Sequence, residues 1–194
     1  MEEPNWIRIE IRWRTITASD ETDWPFSRNG KLGPVFQDEQ RRGPQIYRFL
    51  FHDGASPSCY IGQSERVEDR ARAYHRELRS LRNPVPSTQP IADRLEQAFK
   101  DLNSFSETRV GAAIQNAERD RIKIELQLLD FSDFAFNKVS ISKSSLTNPF
   151  HRNVMENLAI LDAEVSDIRV LNRGRDTEAK ALSYFLKHGK WPKR

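Results

Sequence analysis

Two tyrosines, an arginine and a third tyrosine stand at spacings that suit work on a phosphate. Tyr47 and Tyr60 lie in two short apolar runs, Gln45 to Phe51 and Ser58 to Gly62. Arg70 follows Tyr60 by ten residues and Tyr74 follows it by fourteen. On a helix, Arg70 and Tyr74 share a face one turn apart. A guanidinium presents a planar fork of donors that matches phosphate oxygens. Farther on, Glu156 sits in Val154-Met155-Glu156-Asn157-Leu158-Ala159-Ile160-Leu161, with Ala159 and Ile160 one turn beyond it. A carboxylate among such neighbours needs a partner, because burying an unpaired charge is costly. A divalent cation is one such partner, and Arg152, four residues before, is another.

The elements that must position these residues follow from periodicity. The segment His52 to Pro57 between the two apolar runs is rich in turn residues and holds Asp53-Gly54, a hairpin signal. Ser64 caps a helix whose apolar stripe is Val67, Ala71, Tyr74, Leu78 and Leu81, ending near Arg82. Asn148-Pro149 is a cap followed by proline at the first helical position, and the helix carrying Glu156 runs to about Glu164. A short strand from Ile168 to Leu171 leads to Asn172, and a last helix covers about 176–188. Upstream, residues 6–17 alternate as a strand, with Ile7, Ile9, Ile11 and Trp13 on one face. Residues 18–44 read as loop, ending in the turn Arg41-Arg42-Gly43-Pro44. Residues 83–90 hold three prolines and read as loop. Helices are expected at about 91–103 and 107–119, a strand over Ile122 to Leu128, and loop over 132–148.

Taken together, the hairpin and the helix behind it resemble the GIY-YIG nuclease family. The first run gives Gln45-Ile46-Tyr47, with glutamine where that family has glycine, and the second gives Tyr60-Ile61-Gly62-Gln63-Ser64. The helix then carries Arg70 and Tyr74 at the family's spacing, and a later helix carries one glutamate, Glu156, with Asn172 after it. The resemblance covers roughly 44–82 and 148–173. It implies an α/β fold: a small mixed or antiparallel sheet holding the hairpin, flanked by helices. Residues 1–43 then form an N-terminal extension that includes a strand. Residues 44–194 form the nuclease domain, with a helical insertion at about 83–120.

The implied activity is metal-dependent hydrolysis of DNA. Phosphodiester hydrolysis needs an activated water, neutralisation of the pentavalent phosphate and a stabilised leaving oxygen. Glu156 would hold Mg²⁺ or Mn²⁺, since a hard cation accepts one carboxylate when phosphate supplies another ligand. Arg70 would bind the phosphate, and by resemblance Tyr47 would orient or deprotonate the water. A free tyrosine ionises near pH 10, so a base role demands help from the metal or from Arg70. Arg72, Lys138 and Lys143 are candidates for contact with double-stranded DNA, and the segment 173–194 has seven Lys or Arg against two acids. With 194 residues there is little room for a separate DNA-reading domain, which points to a stand-alone, restriction-like endonuclease. One active centre per chain implies a homodimer for cutting both strands. A structure-specific or nicking nuclease, and a binding protein with a decayed site, are the competing readings.

Each residue also has a plainer reading. Tyr47, Tyr60 and Tyr74 can be core aromatics, Arg70 can pair with Glu65 or Glu77, and Asn172 can be a turn residue before Arg173-Gly174. Composition excludes several classes. One cysteine, Cys59, allows no intrachain disulfide and no cysteine-held zinc. The four histidines, His52, His75, His151 and His188, form no i, i+4 metal pair, and His75 is expected to face solvent. A net charge of +3 says little about partners, so the placement of charge matters more. No apolar run approaches a membrane span, and the first residues lack the pattern of a signal peptide, so a cytoplasmic home is the default expectation.

Overall fold

The computed structural model describes residues 11–22, 24–54, 56–82, 102–130, 135–136, 139–140 and 143–172. The chain runs β1 (Arg12–Ala18), β2 (Gln45–Phe51), β3 (Ser58–Ser64), α1 (Val67–Arg82), α2 (Leu102–Arg119) and β4 (Ile124–Asp130). A two-residue pair follows, β5 (Ala135–Phe136) and β6 (Val139–Ser140), then α3 (Pro149–Val165) and β7 (Arg169–Val170). Short 3-10 turns cover Pro34–Phe36, Glu39–Arg41 and Lys143–Thr147. Five strands form one mixed sheet in the order β1-β4-β2-β3-β7. The first three pairings are antiparallel and β3–β7 is parallel.

Strand β2 lies inside this sheet, and six of its seven residues are buried, as a strand covered on both faces requires. Alternation sends Tyr47, Phe49 and Phe51 to one face, where they pack with Val67, Ala71, Tyr74 and Leu78 of α1 and Val110, Ile114 and Ala117 of α2. Ile46 and Leu50 point to the other face, where Cys59 and Ile61 of β3 meet Met155, Leu158, Ala159, Ile160 and Ala163 of α3. The hairpin, the helix stripe and the Glu156 helix thus form where the sequence predicts them. The Ser64 hydroxyl accepts from the Arg66 N–H at 3.1 Å, and Asn148 Oδ1 accepts from the Phe150 N–H at 2.9 Å.

Several expectations are corrected. Residues 18–44 are more than connecting loop: Trp24, Phe26, Val35 and Phe36 are buried in the same cluster as Tyr47 and Tyr74. β1 pairs along β4, so the described part of the N-terminal extension belongs to the common sheet. The alternation of residues 6–17 breaks at a bulge, because Thr15 opposes Gln127 while Thr17 opposes Leu126. Trp13 packs on the α3 side and Ile16 on the α1 side, as strand alternation requires, and the bulge turns Thr17 to the face of Leu126 instead of that of Trp13. Where two helices were expected, α2 is continuous through residues 103–107, and residues 91–101 lie outside the described ones. Packing on α1 and the Arg82–Glu118 ion pair at its far end override the weak helix preference of Asn103, Ser104 and Ser106. The stretch 132–148 contains the β5–β6 pair and a 3-10 turn. His75 is half-buried against the Gly30 backbone, and burial lowers its pKa. The helix expected at 176–188 lies outside the described residues.

Candidate active site

Gly62 determines how the site can be built. It pairs with Tyr47 across the hairpin. A Cβ added to Gly62 would lie 2.6 Å from both the Cζ and the hydroxyl oxygen of Tyr47. The absent side chain is the space in which the Tyr47 ring lies, tipped across β3. From there the Tyr47 hydroxyl meets the Tyr74 hydroxyl at 2.7 Å. Arg70 Nε donates to the Tyr74 oxygen at 3.2 Å, and the guanidinium also bonds the Tyr47 hydroxyl. The same guanidinium stands over the Tyr74 ring, 5.2 Å from its centroid. Tyr60 meets Tyr74 edge-on with centroids 6.4 Å apart, and Phe49 does so at 5.6 Å.

Tyr47, Tyr60, Arg70 and Tyr74 are therefore brought together on one sheet face, and Tyr47, Arg70 and Tyr74 line a small recess with Val67, Ala71 and Leu126. Tyr47 is 2% exposed and Tyr74 1%, so both rings are also core, as their plainer reading holds. Tyr60 and Arg70 are half-buried and open the cluster to solvent. Burial pushes the Tyr47 hydroxyl well above the ordinary tyrosine range. Nearby Tyr60 adds to this, and Arg70 only partly opposes it. Burial raises Tyr74 in the same way. Both hydroxyls are protonated at neutral pH. Arg70 remains a cation: burial works against its charge, and the hydroxyls of Tyr47 and Tyr74 more than offset that.

Asn172 approaches β3 at residue 61 from the strand edge, and the start of α3 approaches it at residue 63. Asn172 clamps Ile61. Its Oδ1 accepts from the Ile61 N–H at 2.9 Å, and its Nδ2 donates to the Ile61 carbonyl. It prolongs the β3–β7 pairing, in which Leu171 N–H already bonds the Cys59 carbonyl. On the other side of Gly62, Gln63 accepts from Arg152 Nε at 2.9 Å and donates to Asn153 Oδ1. Arg152 is itself buried and reaches the carbonyls of Leu146 and Thr147. Glu156, 2% exposed, lies one turn farther along the sheet-facing stripe of α3. Gln63 was not singled out from sequence, and Arg152 only as an ion-pair partner for Glu156; its contacts to Gln63 and to the carbonyls before α3 were not foreseen. An arginine among the apolar residues of α3 was the available signal, since a buried guanidinium must have its donors satisfied.

The candidate DNA contacts are dispersed. Arg72 is exposed and ion-paired with Asp69. The Lys143 ammonium donates to the carbonyls of Glu39 and Gln40, at 3.2 and 2.6 Å, and staples the turn before α3 to the N-terminal extension. Lys138 and residues 173–194 lie outside the described residues. Cys59 is buried with its thiol pushed up to about 11, which rules out a ready nucleophile. Among the described residues, no group of three or more His, Cys, Asp or Glu side chains is placed to hold a metal. A cation would thus rest on Glu156, a buried carboxylate on α3, the helix that covers the sheet face opposite the one where Tyr47 and Tyr74 pack on α1; a hard ion held by one carboxylate takes its other ligands from phosphate and water. Among the described residues, no helix is long and apolar enough to cross a membrane. No protein-family model, curated protein or solved structure matches the chain.

Proposed function

We propose that this protein is a metal-dependent endonuclease of the GIY-YIG type, acting on double-stranded DNA in a restriction-like manner. The observation that carries this reading is the cluster of Tyr47, Tyr74 and Arg70 hydrogen-bonded over Gly62. Two aromatic hydroxyls and a guanidinium bonded together, with Tyr60 alongside, offer phosphate a fork of donors and can hold an attacking water by hydrogen bonds.

In this reading Arg70 binds a non-bridging oxygen of the scissile phosphate, and the half-exposed Tyr60 hydroxyl positions the phosphate beside it. The Tyr47 hydroxyl orients the water. Because burial keeps it protonated, it acts first as a hydrogen-bond partner and takes the water's proton only when added positive charge lowers its pKa. Water adds to phosphorus and the bond to the leaving sugar oxygen breaks. Glu156 would hold Mg²⁺ or Mn²⁺, which would supply positive charge against the pentavalent phosphate. Asn172 acts through Ile61 and is a positioning residue. A homodimer supplies one centre for each strand.

The test is incubation of the purified protein with supercoiled plasmid and Mg²⁺, with and without EDTA. Discrete linear fragments that require the metal support the proposal. Nicked circles alone favour a nicking nuclease. No cutting with Mg²⁺ or Mn²⁺ overturns the activity and leaves a DNA-binding role to be measured directly.

A further inference from the structure

Beside the tyrosine cluster, along the start of α1, lies a second, open recess. Its wall from the N-terminal extension is Leu32, Gly33 and Phe36, and its rim carries Arg42, Arg66 and Arg72. We infer that this recess is a flanking-phosphate subsite, which grips the DNA backbone next to the scissile position. The inference rests on the nuclease reading and adds a binding site to it.

The charge balance favours an anion. Three guanidinium groups face the recess against one carboxylate, Glu68. Glu68 is largely covered, and its carboxylate accepts from the Gly43 N–H at 3.2 Å. Arg42 Nε is bonded to the Phe36 carbonyl, which fixes that arginine to the wall. Arg66 and Arg72 both lean on Asp69, and Arg66 lies 3.6 Å from Glu68 as well. Side chains of Arg66 and Arg72 remain 66% and 60% exposed. Ion pairs this exposed contribute ~0–1 kcal/mol. A phosphate that takes two donors from a guanidinium displaces them at little cost.

The placement also fits. Arg66 precedes Arg70 by four residues, and the Arg70 N–H bonds the Arg66 carbonyl at 3.2 Å. The two arginines therefore sit on one side of α1, about 6 Å apart along its axis. That is a step comparable with the one between successive phosphates of a strand. A backbone with its scissile phosphate on Arg70 presents the next one toward the Arg66 rim, and the apolar wall faces its sugar.

The test measures binding of a short duplex in EDTA, where no cleavage occurs, over a series of KCl concentrations. Each phosphate contact contributes about 0.9 to the slope of log K against log salt. The double variant Arg66→Gln/Arg72→Gln is expected to lose about 1 to 2 in slope and to bind roughly 10- to 100-fold more weakly at ~0.1 M salt. The loss should be uniform across sequences. The control Arg119→Gln/Lys123→Gln removes the same charge near the far end of α1 and should change the slope by much less. Arg42→Gln is run beside them, with thermal melting to verify its fold; if it unfolds, the double variant decides. A wild type that cuts DNA, with a double variant of unchanged slope, overturns this inference alone, as does a control that loses as much slope. A wild type that neither binds nor cuts overturns the nuclease reading and this inference with it.

Discussion

Gly62→Ala is the sharpest test of how the site is built. The new methyl carbon would lie 2.6 Å from the Cζ and hydroxyl oxygen of Tyr47. Carbon atoms pack at about 3.5–4.0 Å, so the ring must retreat by about 1 Å. Retreat from β3 breaks the 2.7 Å bond to Tyr74 and the bond to Arg70, because the hydroxyl is the tip of the ring. Overpacking costs about 1–3 kcal/mol, and a buried hydroxyl left without a partner about 1–3 kcal/mol more. The variant should therefore lose roughly 2–6 kcal/mol by urea denaturation. If the Tyr47 hydroxyl acts on the substrate, a 1 Å displacement should slow plasmid cleavage by ~10²-fold. Gly33→Ala is the matched control: a Cβ there meets nothing within 4 Å and its φ is −52°. It should change stability by less than ~1 kcal/mol in either direction. A Gly62→Ala protein as stable as the Gly33→Ala control would refute the proposed clearance, and a stable, fully active one would also remove Tyr47 from the chemistry.

Other outcomes follow from the same geometry. Tyr47→Phe keeps the ring and the fold, and should lose ~10²- to 10⁴-fold in cleavage rate; a folded, fully active variant eliminates the hydroxyl as a catalytic group. Arg70→Lys keeps charge but loses the fork and should cut at least ~10-fold more slowly; activity within a few-fold of wild type makes Arg70 a mere charge. Glu156→Gln should abolish cleavage while the protein still binds DNA in EDTA. Near-normal cutting would remove Glu156 from the site, and lost binding would mark a structural role. The alkaline limb has a definite sign. Tyr47 and Tyr74 are raised by burial above their unfolded value near 10. Their contribution is complete below about pH 10 and is lost as pH rises from there through the elevated folded values. Tyrosinate absorbance should therefore show fewer tyrosines ionising near pH 10 in the folded protein than in urea. Equal titration in both would contradict the burial of these hydroxyls.

Much of the fold was legible because it is local. Spacing put Arg70 and Tyr74 on one helix face, and strand parity separated Tyr60 from Cys59. Asn148-Pro149 marked the start of the Glu156 helix. What escaped depends on contacts between distant segments. Gly62 reads as one glycine in a triplet until Tyr47 is seen lying across it. The bulge in β1 arises in its register with β4. The burial of Trp24, Phe26, Val35 and Phe36 has no period, because these residues fill space around strands and helices already formed. The bonds of Lys143 were not legible because its carbonyl partners, those of Glu39 and Gln40, are over a hundred residues away.

The glutamine at the first motif position illustrates how such contacts change an argument. Gln45 stands where the resembled family has glycine, and it was the one sequence feature that spoke for a decayed site. Its side chain is buried, and its Nε2 donates to the Gln40 carbonyl at 2.9 Å. The Lys143 ammonium reaches that same carbonyl. Two residues earlier, Gly43 adopts φ +75°, which glycine tolerates freely, and its carbonyl accepts from the Val67 N–H at the start of α1. Gln45 therefore helps to tie the extension to both β2 and α1, the two elements that carry Tyr47, Arg70 and Tyr74. A glycine at position 45 would leave one donor fewer on the Gln40 carbonyl and loosen the wall of the arginine recess. At this position the glutamine has a structural role of its own in this fold, holding the segment before β2.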